Sequence, residues 1–255
     1  MPPSYLRTSD IARAVGAHPN TVRLYENWGF LPPIPRSLSG YRLYTEAHLD
    51  QMRLAWIAMH GMCPCKALLN DLVRTAAAGD LGGALEQAYA YLAQVRSERA
   101  QAEAAVEFLE SWAQGRITER ATGPLRIGEL AKRLGITHDM LRNWERNGLL
   151  DVPRDPHSGY RLYGPDEIGR VRVIRMLRLA GYSTMAILRM LIQFDQGHRQ
   201  NLRQTLDTPR PDEDVYSAAD RWLSTLAAGE QRGLNVIAQL EAMIAKQPYE
   251  QRRTR

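Results

Sequence analysis

Apolar residues recur at alternating intervals of three and four positions in two long stretches of the chain. In the first stretch, residues 80–114, this spacing gives one helix face the seam residues Leu85, Leu92, Val95, Val106 and Leu109. In the second, residues 211–247, the same spacing gives the seam residues Trp222, Leu226, Val236, Leu240 and Met243. Such spacing is typical of coiled-coil helices. The pattern therefore predicts two long helices that pack through these faces.

Glycine interrupts the second predicted seam. Gly229 and Gly233 occupy two of its positions. A glycine in a helix interface lets a neighbouring backbone approach closely, but it also marks a bend or an effector cleft in other proteins. The pattern leaves these interpretations open.

The chain contains an internal repeat. When residues 6–53 are aligned without a gap to residues 125–172, 15 of the 48 positions are identical. Self-similarity of this extent indicates a tandem duplication. We refer to the two aligned regions as copy one and copy two.

Each copy begins with two short predicted helices. The first helix ends at Gly16 in copy one and at Gly135 in copy two, because glycine is a usual helix stop. His18 followed by Pro19 starts the second helix of copy one, and Thr137 caps that of copy two. Two short helices joined by such a turn form a helix-turn-helix unit, whose second helix can enter the DNA major groove.

A segment punctuated by proline and glycine follows the two helices in each copy. It covers residues 32–44 in copy one and 151–163 in copy two, and in both a Ser-Gly turn precedes Tyr-Arg-Leu-Tyr. A turn of this kind between extended residues predicts a small β-hairpin, or wing.

These motifs together resemble the MerR family of transcriptional regulators. Copy two carries Leu-Arg-Asn-Trp-Glu from residue 141, Gly-Leu-Leu from residue 148 and the wing motif at 154–163. Copy one carries Val-Arg-Leu-Tyr-Glu from residue 22, Gly-Phe-Leu from residue 29 and the wing motif at 36–44. The combined motif occurs twice in the same order, which makes the resemblance specific.

The resemblance implies that the second helix and the wing of each copy contact DNA. In copy one the implied DNA-binding residues are Asn20, Thr21, Arg23, Arg36, Tyr41 and Arg42. In copy two they are His138, Asp139, Arg142, Asn143, Arg154, Tyr160 and Arg161. The helix arginines would reach phosphate or guanine, whereas the wing residues would hold the backbone and set position.

The chain departs from the family pattern directly after each helix arginine. Many relatives have a tyrosine there, whereas this chain has Leu24 and Asn143. The aromatic residues one place further, Tyr25 and Trp144, are expected to pack in the core. Glu26 and Glu145 are expected to be structural, because a carboxylate facing DNA is repelled.

The resemblance also implies an architecture, because MerR-like proteins are usually homodimers joined by an antiparallel pair of long helices. This chain contains two winged helix-turn-helix motifs and two long helices, which is what two such protomers would supply. We therefore expect a mainly α fold that forms an intrachain pseudo-dimer. Its predicted segments are a first winged helix-turn-helix domain at 1–79, a coiled-coil helix at 80–114, a linker at 115–124, a second winged domain with a loop insert at 125–210, a second coiled-coil helix at 211–247 and a basic tail at 248–255. The alternative is a homodimer of tandem chains with four DNA-binding heads.

The two cysteines, Cys63 and Cys65, are one residue apart and cannot close a stabilising loop by forming a disulfide. Two thiolates with one intervening proline suit Cu(I) or Hg(II), which accept few ligands, but do not complete a tetrahedral zinc site. Cys63 aligns with Ser183 at a predicted helix start, and Pro64 suits a first helical turn. We therefore expect a capped helix and no metal or cofactor, with a thiol or soft-metal sensor as the alternative.

Composition and the absence of certain sequence motifs restrict the kinds of protein that this chain can be. The 44% hydrophobic and 24% charged content is ordinary for a globular protein. The longest apolar run, residues 54–59, is far shorter than the roughly 18 residues that cross a bilayer, and no leader pattern is present, so we expect no membrane partner and a cytoplasmic location. No zinc-hydrolase or phosphate-loop motif occurs, so we expect no enzyme activity. The net charge of +5 arises wholly after residue 124.

The sequence therefore predicts a sequence-specific DNA-binding transcriptional regulator. Its second helices differ, so the two half-sites of double-stranded promoter DNA should form an imperfect dyad. By resemblance, the protein would distort the promoter spacer and so act indirectly on RNA polymerase, and any small effector would have to fit between the helices. Two alternatives remain, namely an adaptor that binds a protein partner and a chain in which one copy is a structural remnant.

Overall fold

The computed structural model describes residues 5–62, 64–118, 123–209 and 218–247. Its helices, in chain order, are α1 Thr8–Val15, α2 Pro19–Asn27, α3 Glu46–Met59, α4 Lys66–Ala77, α5 Leu81–Ala113, α6 Ile127–Leu134, α7 His138–Arg146, α8 Pro165–Leu179, α9 Thr184–Asp195, α10 Leu202–Asp207 and α11 Trp222–Lys246. A 3₁₀ turn at Ala218–Arg221 precedes α11. The fold is mainly helical. Across these ranges no helix combines the length and apolar character needed to cross a membrane.

Several predicted features lie outside the described residues. They are Cys63, linker residues 119–122, the last insert residue at 210, the predicted start of the second coiled-coil helix at 211–217 and the basic tail at 248–255.

The chain forms two compact units. The first contains the residues up to Ser97 together with those from Leu226 onward, and the second is Glu98–Thr225. Copy one lies in the first unit and copy two in the second. The long helices α5 and α11 each contribute residues to both units.

The core of the first unit is built where α1 packs on α2 and α3, and α3 packs on α4. Ile11, Val22 and Leu54 are fully buried there. Gln51 is also buried, and its Nε2 donates to the carbonyl oxygens of Phe30 and Val73, each at 3.0 Å. This amide ties the chain after α2 to the interior of α4, so the short helices of copy one rest on a fixed base.

The first part of α5 pairs with α11 in the first unit, and the two helices run antiparallel. Tyr89 Oη donates to Glu241 at 3.4 Å, and Arg96 Nε forms an ion pair with Glu230 at 2.8 Å. Residue numbers thus rise along α5 as they fall along α11. Lys246 Nζ at the end of α11 meets the buried Asp50 of α3 at 2.6 Å, which fixes α11 to copy one.

The glycines of α11 are points of close approach. A Cβ added at Gly229 would lie 2.8 Å from Pro64 Cγ, and one added at Gly233 would lie 3.2 Å from Leu92 Cδ1. The helix continues through both positions. Close approach of neighbouring residues, one of the interpretations that the sequence leaves open, is therefore present at both glycines.

The predicted seam residues differ in burial. Seven of them are buried, namely Leu92, Val95, Val106, Leu109, Leu226, Val236 and Leu240. Leu85, Trp222 and Met243 are half-buried.

In the second unit, the end of α5 packs against α8 and α9. The ring of Trp112 stacks on Phe194 with centroids 4.5 Å apart, and a Cβ added at Gly169 would lie 2.5 Å from Trp112 Nε1. Tyr182 is buried and its Oη donates to the carbonyl oxygen of Ala102 at 3.4 Å, while burial raises the pKa of its hydroxyl. These contacts hold α8, α9 and the turn between them against the second half of α5.

The insert of copy two was expected to be a loop, and this is wrong for Leu202–Asp207, which forms α10. Leu202 and Leu206 lie one turn apart and are buried as α10 packs on α9. The buried Arg189 donates from Nε to the carbonyl oxygen of Thr205 at 2.7 Å and from a terminal nitrogen to that of Leu206 at 3.1 Å. The short helix forms because its apolar pair and its last carbonyls find partners on α9.

The wings were expected to be β-hairpins, but the described residues contain isolated antiparallel bridges and no continuous strand. Copy one has bridges Leu6 to Tyr44 and Arg36 to Arg42, and copy two has Leu125 to Tyr163 and Arg154 to Arg161. Prolines in both wings lack the N–H group that a ladder requires. Pro35 and Pro153 accept one hydrogen bond each through their carbonyls, so the pairing stays local.

Candidate nucleic-acid interface

The second helix of each copy begins at a hydrogen-bonded cap. His18 Nδ1 accepts from the Asn20 backbone N–H at 3.2 Å, and Thr137 Oγ1 accepts from that of Met140 at 3.1 Å. The preceding turns pass through Gly16 and Gly135, whose positive φ values of 68° and 61° suit glycine. The caps and glycines fix where α2 and α7 start relative to α1 and α6.

The predicted base-reading arginines are exposed on these helices. A terminal nitrogen of Arg23 donates to Asn20 Oδ1 at 3.4 Å, and one of Arg142 donates to Asp139 Oδ1 at 3.4 Å. Both bonds span three residues on the helix surface, so each guanidinium points towards the start of its helix. Asp139 is therefore a hydrogen-bond partner of Arg142 in the protein without DNA.

A carboxylate on the second helix holds each wing. Arg42 Nε donates to Glu26 Oε2 at 2.7 Å, and Arg161 Nε donates to Glu145 Oε2 at 2.7 Å. All four side chains are less than 26% exposed, with values of 24%, 21%, 25% and 22%. Glu26 and Glu145 thus orient the wing arginines. We call these two ion pairs the wing clamps.

The wing tips present exposed tyrosines. Tyr41 is 74% exposed and Tyr160 is 60% exposed. Behind them, Arg36 donates to the carbonyl oxygen of Gly40 and Arg154 to that of Gly159, each at 3.4 Å. The arginine that opens each wing therefore supports the turn that carries the tyrosine.

The two wing turns are closed by different groups. In copy two, Asp155 Oδ1 accepts from the backbone N–H groups of His157 at 3.0 Å and Ser158 at 2.7 Å. The hydrogen bonds from Ser158 are the main cause of the lowered pKa of Asp155. In copy one the corresponding acceptor is Ser37 Oγ, which receives the Tyr41 N–H at 3.1 Å.

Copy two has a basic cleft of about 750 Å³ between its helices and its wing. We call it the helix–wing cleft, and its lining residues are Arg126, Ile127, Gly128, Glu129, Lys132, Arg142, Arg154, Gly159, Tyr160 and Arg161. The Arg126 guanidinium lies 5.1 Å from the centroid of the Tyr160 ring. Its lining carboxylate, Glu129, accepts the Arg126 backbone N–H at 2.7 Å and so caps α6. The cleft is suited to a polyanion.

The cleft brings together four of the residues predicted for copy two, namely Arg142, Arg154, Tyr160 and Arg161. His138, Asp139 and Asn143 are exposed on α7 but do not line it. Asn143 instead accepts from Asn147 Nδ2 through its side chain at 3.1 Å. Sequence reasoning missed Arg126 and Lys132. The signal available for Arg126 was the Leu-Arg pair that opens both copies.

The predicted DNA-binding residues on α2 differ in exposure. Asn20 and Arg23 are exposed and Thr21 is half-buried. Tyr25 and Trp144 are both only 5% exposed, which confirms their predicted place in the core.

The cysteine segment does not form the helix start that was expected. Helix α4 begins at Lys66 after Cys65, whose φ of 55° is in the left-handed region, so Pro64 lies before the helix and not in its first turn. The aligned Ser183 does cap α9, accepting the Ala186 N–H at 2.9 Å. Among the described residues, no group of three or more histidine, cysteine or acidic side chains is arranged to hold a metal ion.

Comparison with known proteins supports the resemblance to MerR-type regulators. Residues 125–193 match the MerR HTH family regulatory protein profile, and residues 7–44 match the MerR family regulatory protein profile. These matches support a MerR-family regulator. The two matches also suggest a tandem arrangement.

Individual relatives cover a limited part of the chain. The mercuric resistance operon regulatory protein of Bacillus cereus is 33% identical over 66 residues, which is 26% of this chain and 50% of that protein. The HTH-type transcriptional regulator ZntR of Escherichia coli is 35% identical over 74 residues, 29% of this chain and 52% of that protein. Nodulation protein NolA of Bradyrhizobium is 41% identical over 66 residues, 26% of this chain and 28% of that protein. The aligned part thus spans about half or less of these relatives. No solved structure matches the chain significantly.

Proposed function

We propose that this protein is a sequence-specific DNA-binding transcriptional regulator. The observation that carries the proposal is the helix–wing cleft, in which five cationic side chains, from α6 and the residue before it, from α7 and from the wing, line the cleft beside an exposed tyrosine. Arginine and lysine arranged in this way neutralise phosphates, and an arginine on an exposed helix can read guanine. Sequence similarity of both copies to MerR-type regulators supports the same conclusion.

The DNA-binding residues in the proposal are those of the two second helices and wings. Arg23 and Arg142 would contact bases or nearby phosphates, with Asn20, Thr21, His138, Asp139 and Asn143 beside them. Arg36, Tyr41, Arg42, Arg154, Tyr160 and Arg161 would hold the backbone. Because α2 and α7 have different sequences, the promoter site would be an imperfect dyad.

We further propose that one chain acts as a pseudo-dimer. The antiparallel pairing of α11 with the first part of α5 supports this, because the joining helices then come from the same chain. A single chain would supply both DNA-binding heads. Binding of two joined heads would distort the DNA spacer between the half-sites and so change how the two regions that RNA polymerase contacts are aligned. The free-energy cost of this distortion would depend on the DNA sequence.

The direct test is selection from genomic DNA. Purified protein is incubated with fragmented genomic DNA at about 0.15 M salt, and the retained fragments are sequenced and footprinted. Enrichment of promoter spacers flanked by two unlike half-sites supports the proposal. Retention no greater than that of the Arg142→Ala/Arg161→Ala double variant contradicts it.

An adaptor that binds a protein is the second candidate, and one observation favours it. Helix α2 and its end expose the apolar side chains of Leu24, at 42%, and Trp28, at 47%. If this surface binds a protein and the chain is not a DNA-binding regulator, the affinity measured in DNA titrations should hardly change with salt concentration. Specific DNA binding should instead weaken strongly as salt rises, because it releases counterions.

A further inference from the structure

We propose that Asp155 is a positioning residue that presets the wing of copy two for DNA. Its carboxylate holds the wing turn in one conformation in the free protein, so that Tyr160 at the wing tip would meet the DNA backbone without first having to be ordered. The inference rests on the proposed function, since it concerns how the same wing reaches DNA. It assigns a role to an acidic side chain that would not itself bind phosphate.

The Asp155 carboxylate closes the wing turn through a single oxygen. Oδ1 accepts the backbone N–H of His157 at 3.0 Å, the backbone N–H of Ser158 at 2.7 Å and the Ser158 hydroxyl at 2.8 Å. Two main-chain bonds of 2.8 Å join the same turn, from the Asp155 N–H to the Tyr160 carbonyl oxygen and from the Gly159 N–H to the Asp155 carbonyl oxygen. Hydrogen bonds to an ionised acceptor are stronger than bonds between neutral groups. The carboxylate therefore restricts the turn that ends at Tyr160.

A second contact restrains the Tyr160 side chain. The guanidinium of Arg126, the residue before α6, lies 5.1 Å from the centroid of the Tyr160 ring. The hydrogen bonds from Ser158 lower the pKa of the Asp155 carboxyl most, and the positive charge of Arg126 lowers this pKa further. Arg126 thus attracts both the ring and the carboxylate. The wing tip is held at its main chain and at its ring, while the ring stays 60% exposed.

The wing turn of copy one has similar main-chain bonds but a weaker side-chain acceptor. The Ser37 N–H donates to the Tyr41 carbonyl oxygen at 2.8 Å, as in copy two. The side-chain acceptor is the neutral Ser37 hydroxyl, which receives the Tyr41 N–H at 3.1 Å and lies 2.9 Å from Ser39 Oγ. Within the described residues, Arg7, which aligns with Arg126, does not lie over an aromatic ring. The wing of copy one should therefore be more mobile in the free protein.

A preset wing increases affinity because less conformational entropy is lost when DNA binds. The same carboxylate also brings a negative charge towards the proposed interface, and this charge alone would weaken binding. The two effects of Asp155 can be separated, because its side-chain bonds all end on one oxygen. An asparagine keeps an acceptor oxygen at this place without the charge.

The test compares two variants that remove the same charge. Asp155→Asn keeps an acceptor for the Ser158 groups, whereas Asp155→Ala leaves them without one. We predict that Asp155→Ala binds a promoter fragment retained in the genomic selection roughly 2- to 10-fold more weakly than Asp155→Asn, a range that corresponds to the cost of ordering one side chain. Asp155→Ser supplies the acceptor type of copy one and should bind with intermediate affinity. Fluorescence titration measures the affinities, and thermal unfolding checks that each variant is folded.

The matched control is the pair Asp151→Asn and Asp151→Ala. Asp151 is an exposed carboxylate at the start of the same wing segment, and its side chain makes no hydrogen bond within the part of the chain that the structure describes. These two control variants also remove one negative charge each. They should bind DNA with equal affinity, because no acceptor is lost in either of them.

A measurement without DNA tests the preset wing by itself. In the free protein, the NMR order parameter of the Tyr160 amide should be close to that of rigid backbone, about 0.85, and that of the Tyr41 amide should be lower. Asp155→Ala should lower the value at Tyr160 towards the value at Tyr41, and Asp155→Asn should lower it less.

Equal DNA affinities of folded Asp155→Ala and Asp155→Asn would overturn the inference while leaving the proposed function intact. So would a Tyr160 amide that is as mobile as the Tyr41 amide in the unchanged protein. If the unchanged protein binds no duplex above background, the proposed function has failed, and the order parameters still decide whether Asp155 presets the wing.

Discussion

Arg161 Nε donates to Glu145 Oε2 at 2.7 Å, and this bond joins the wing of copy two to its second helix. The same bond, with the same 2.7 Å length, joins Arg42 to Glu26 in copy one. A carboxylate beside the proposed DNA-binding surface would repel phosphate, yet both copies have one at this position. Under the proposed function the wing clamp accounts for this carboxylate, because it orients an arginine that DNA would otherwise meet in many rotamers.

The wing clamp predicts a change in DNA affinity opposite to the change expected from charge alone. Glu145→Ala removes a negative charge from the interface, and electrostatics by itself would tighten DNA binding. Because Arg161 loses its orientation, we expect binding to weaken several-fold and the free energy of unfolding to fall by about 1.5 to 3 kcal/mol. Fluorescence titration with promoter DNA and thermal unfolding measure the two effects.

Glu145→Asp is the control for the clamp, since it keeps the charge but shortens the reach to Arg161. It should weaken binding to an intermediate extent. Tighter binding by Glu145→Ala, with stability unchanged, would show that the carboxylate only repels DNA.

The copies share features that their sequences show only in part. The helix-turn-helix helices could be predicted from caps and glycine stops, because these signals are local. The repeat could be predicted by aligning the chain with itself, and the core place of Tyr25 from its position in the motif that resembles MerR regulators. The wing clamp could not, since Glu145 and Arg161 are 16 residues apart and pair only after the wing folds back. Helix α10 was missed because its apolar pair is too short to show a period, and the buried Arg189 that supports it lies on another helix.

Arg142 is expected to contribute to base preference. Arg142→Ala should cost about 1 to 3 kcal/mol of binding free energy if the side chain reads guanine, and the loss should vary with the base placed opposite it. Competition binding with operator variants measures this. Arg146→Ala, an exposed arginine at the end of the same helix that does not line the cleft, is the control. A loss that is equal for all bases would reassign Arg142 to phosphate.

Gly169 is required by the packing of Trp112. In Gly169→Ala the new Cβ would lie 2.5 Å from Trp112 Nε1, and an indole ring stacked on Phe194 has little room to move. We expect the free energy of unfolding to fall by about 1 to 3 kcal/mol, as for other overpacked cores. Gly128→Ala is the matched control.

In Gly128→Ala the new Cβ would come no closer than 3.6 Å, to His138 Nε2. Its stability should be unchanged or slightly higher, because alanine favours helix over glycine. Chemical denaturation compares the two variants. Equal stability of Gly169→Ala and Gly128→Ala would contradict the packing at Trp112.

The wing turn of copy two should respond to acid, and that of copy one should not. Hydrogen bonds from Ser158 lower the pKa of Asp155 in the folded state, so the turn is stabilised above the ordinary carboxyl pKa and loses this stabilisation as the pH falls through the lowered value. NMR of the Ser158 amide should show the loss. The Tyr41 amide, bonded to the hydroxyl of Ser37, is the internal control. Equal acid responses at the two amides would contradict the assignment.

The central claim is that one chain presents two unlike DNA-binding heads, and stoichiometry combined with footprinting tests it most directly. Native mass measurement of the complex with a single operator should give one 28.9 kDa chain for each duplex. Arg23→Ala should weaken protection of one half-site, and Arg142→Ala should weaken protection of the other. Two chains on each operator, or loss of protection at the same half-site in both variants, would contradict the account.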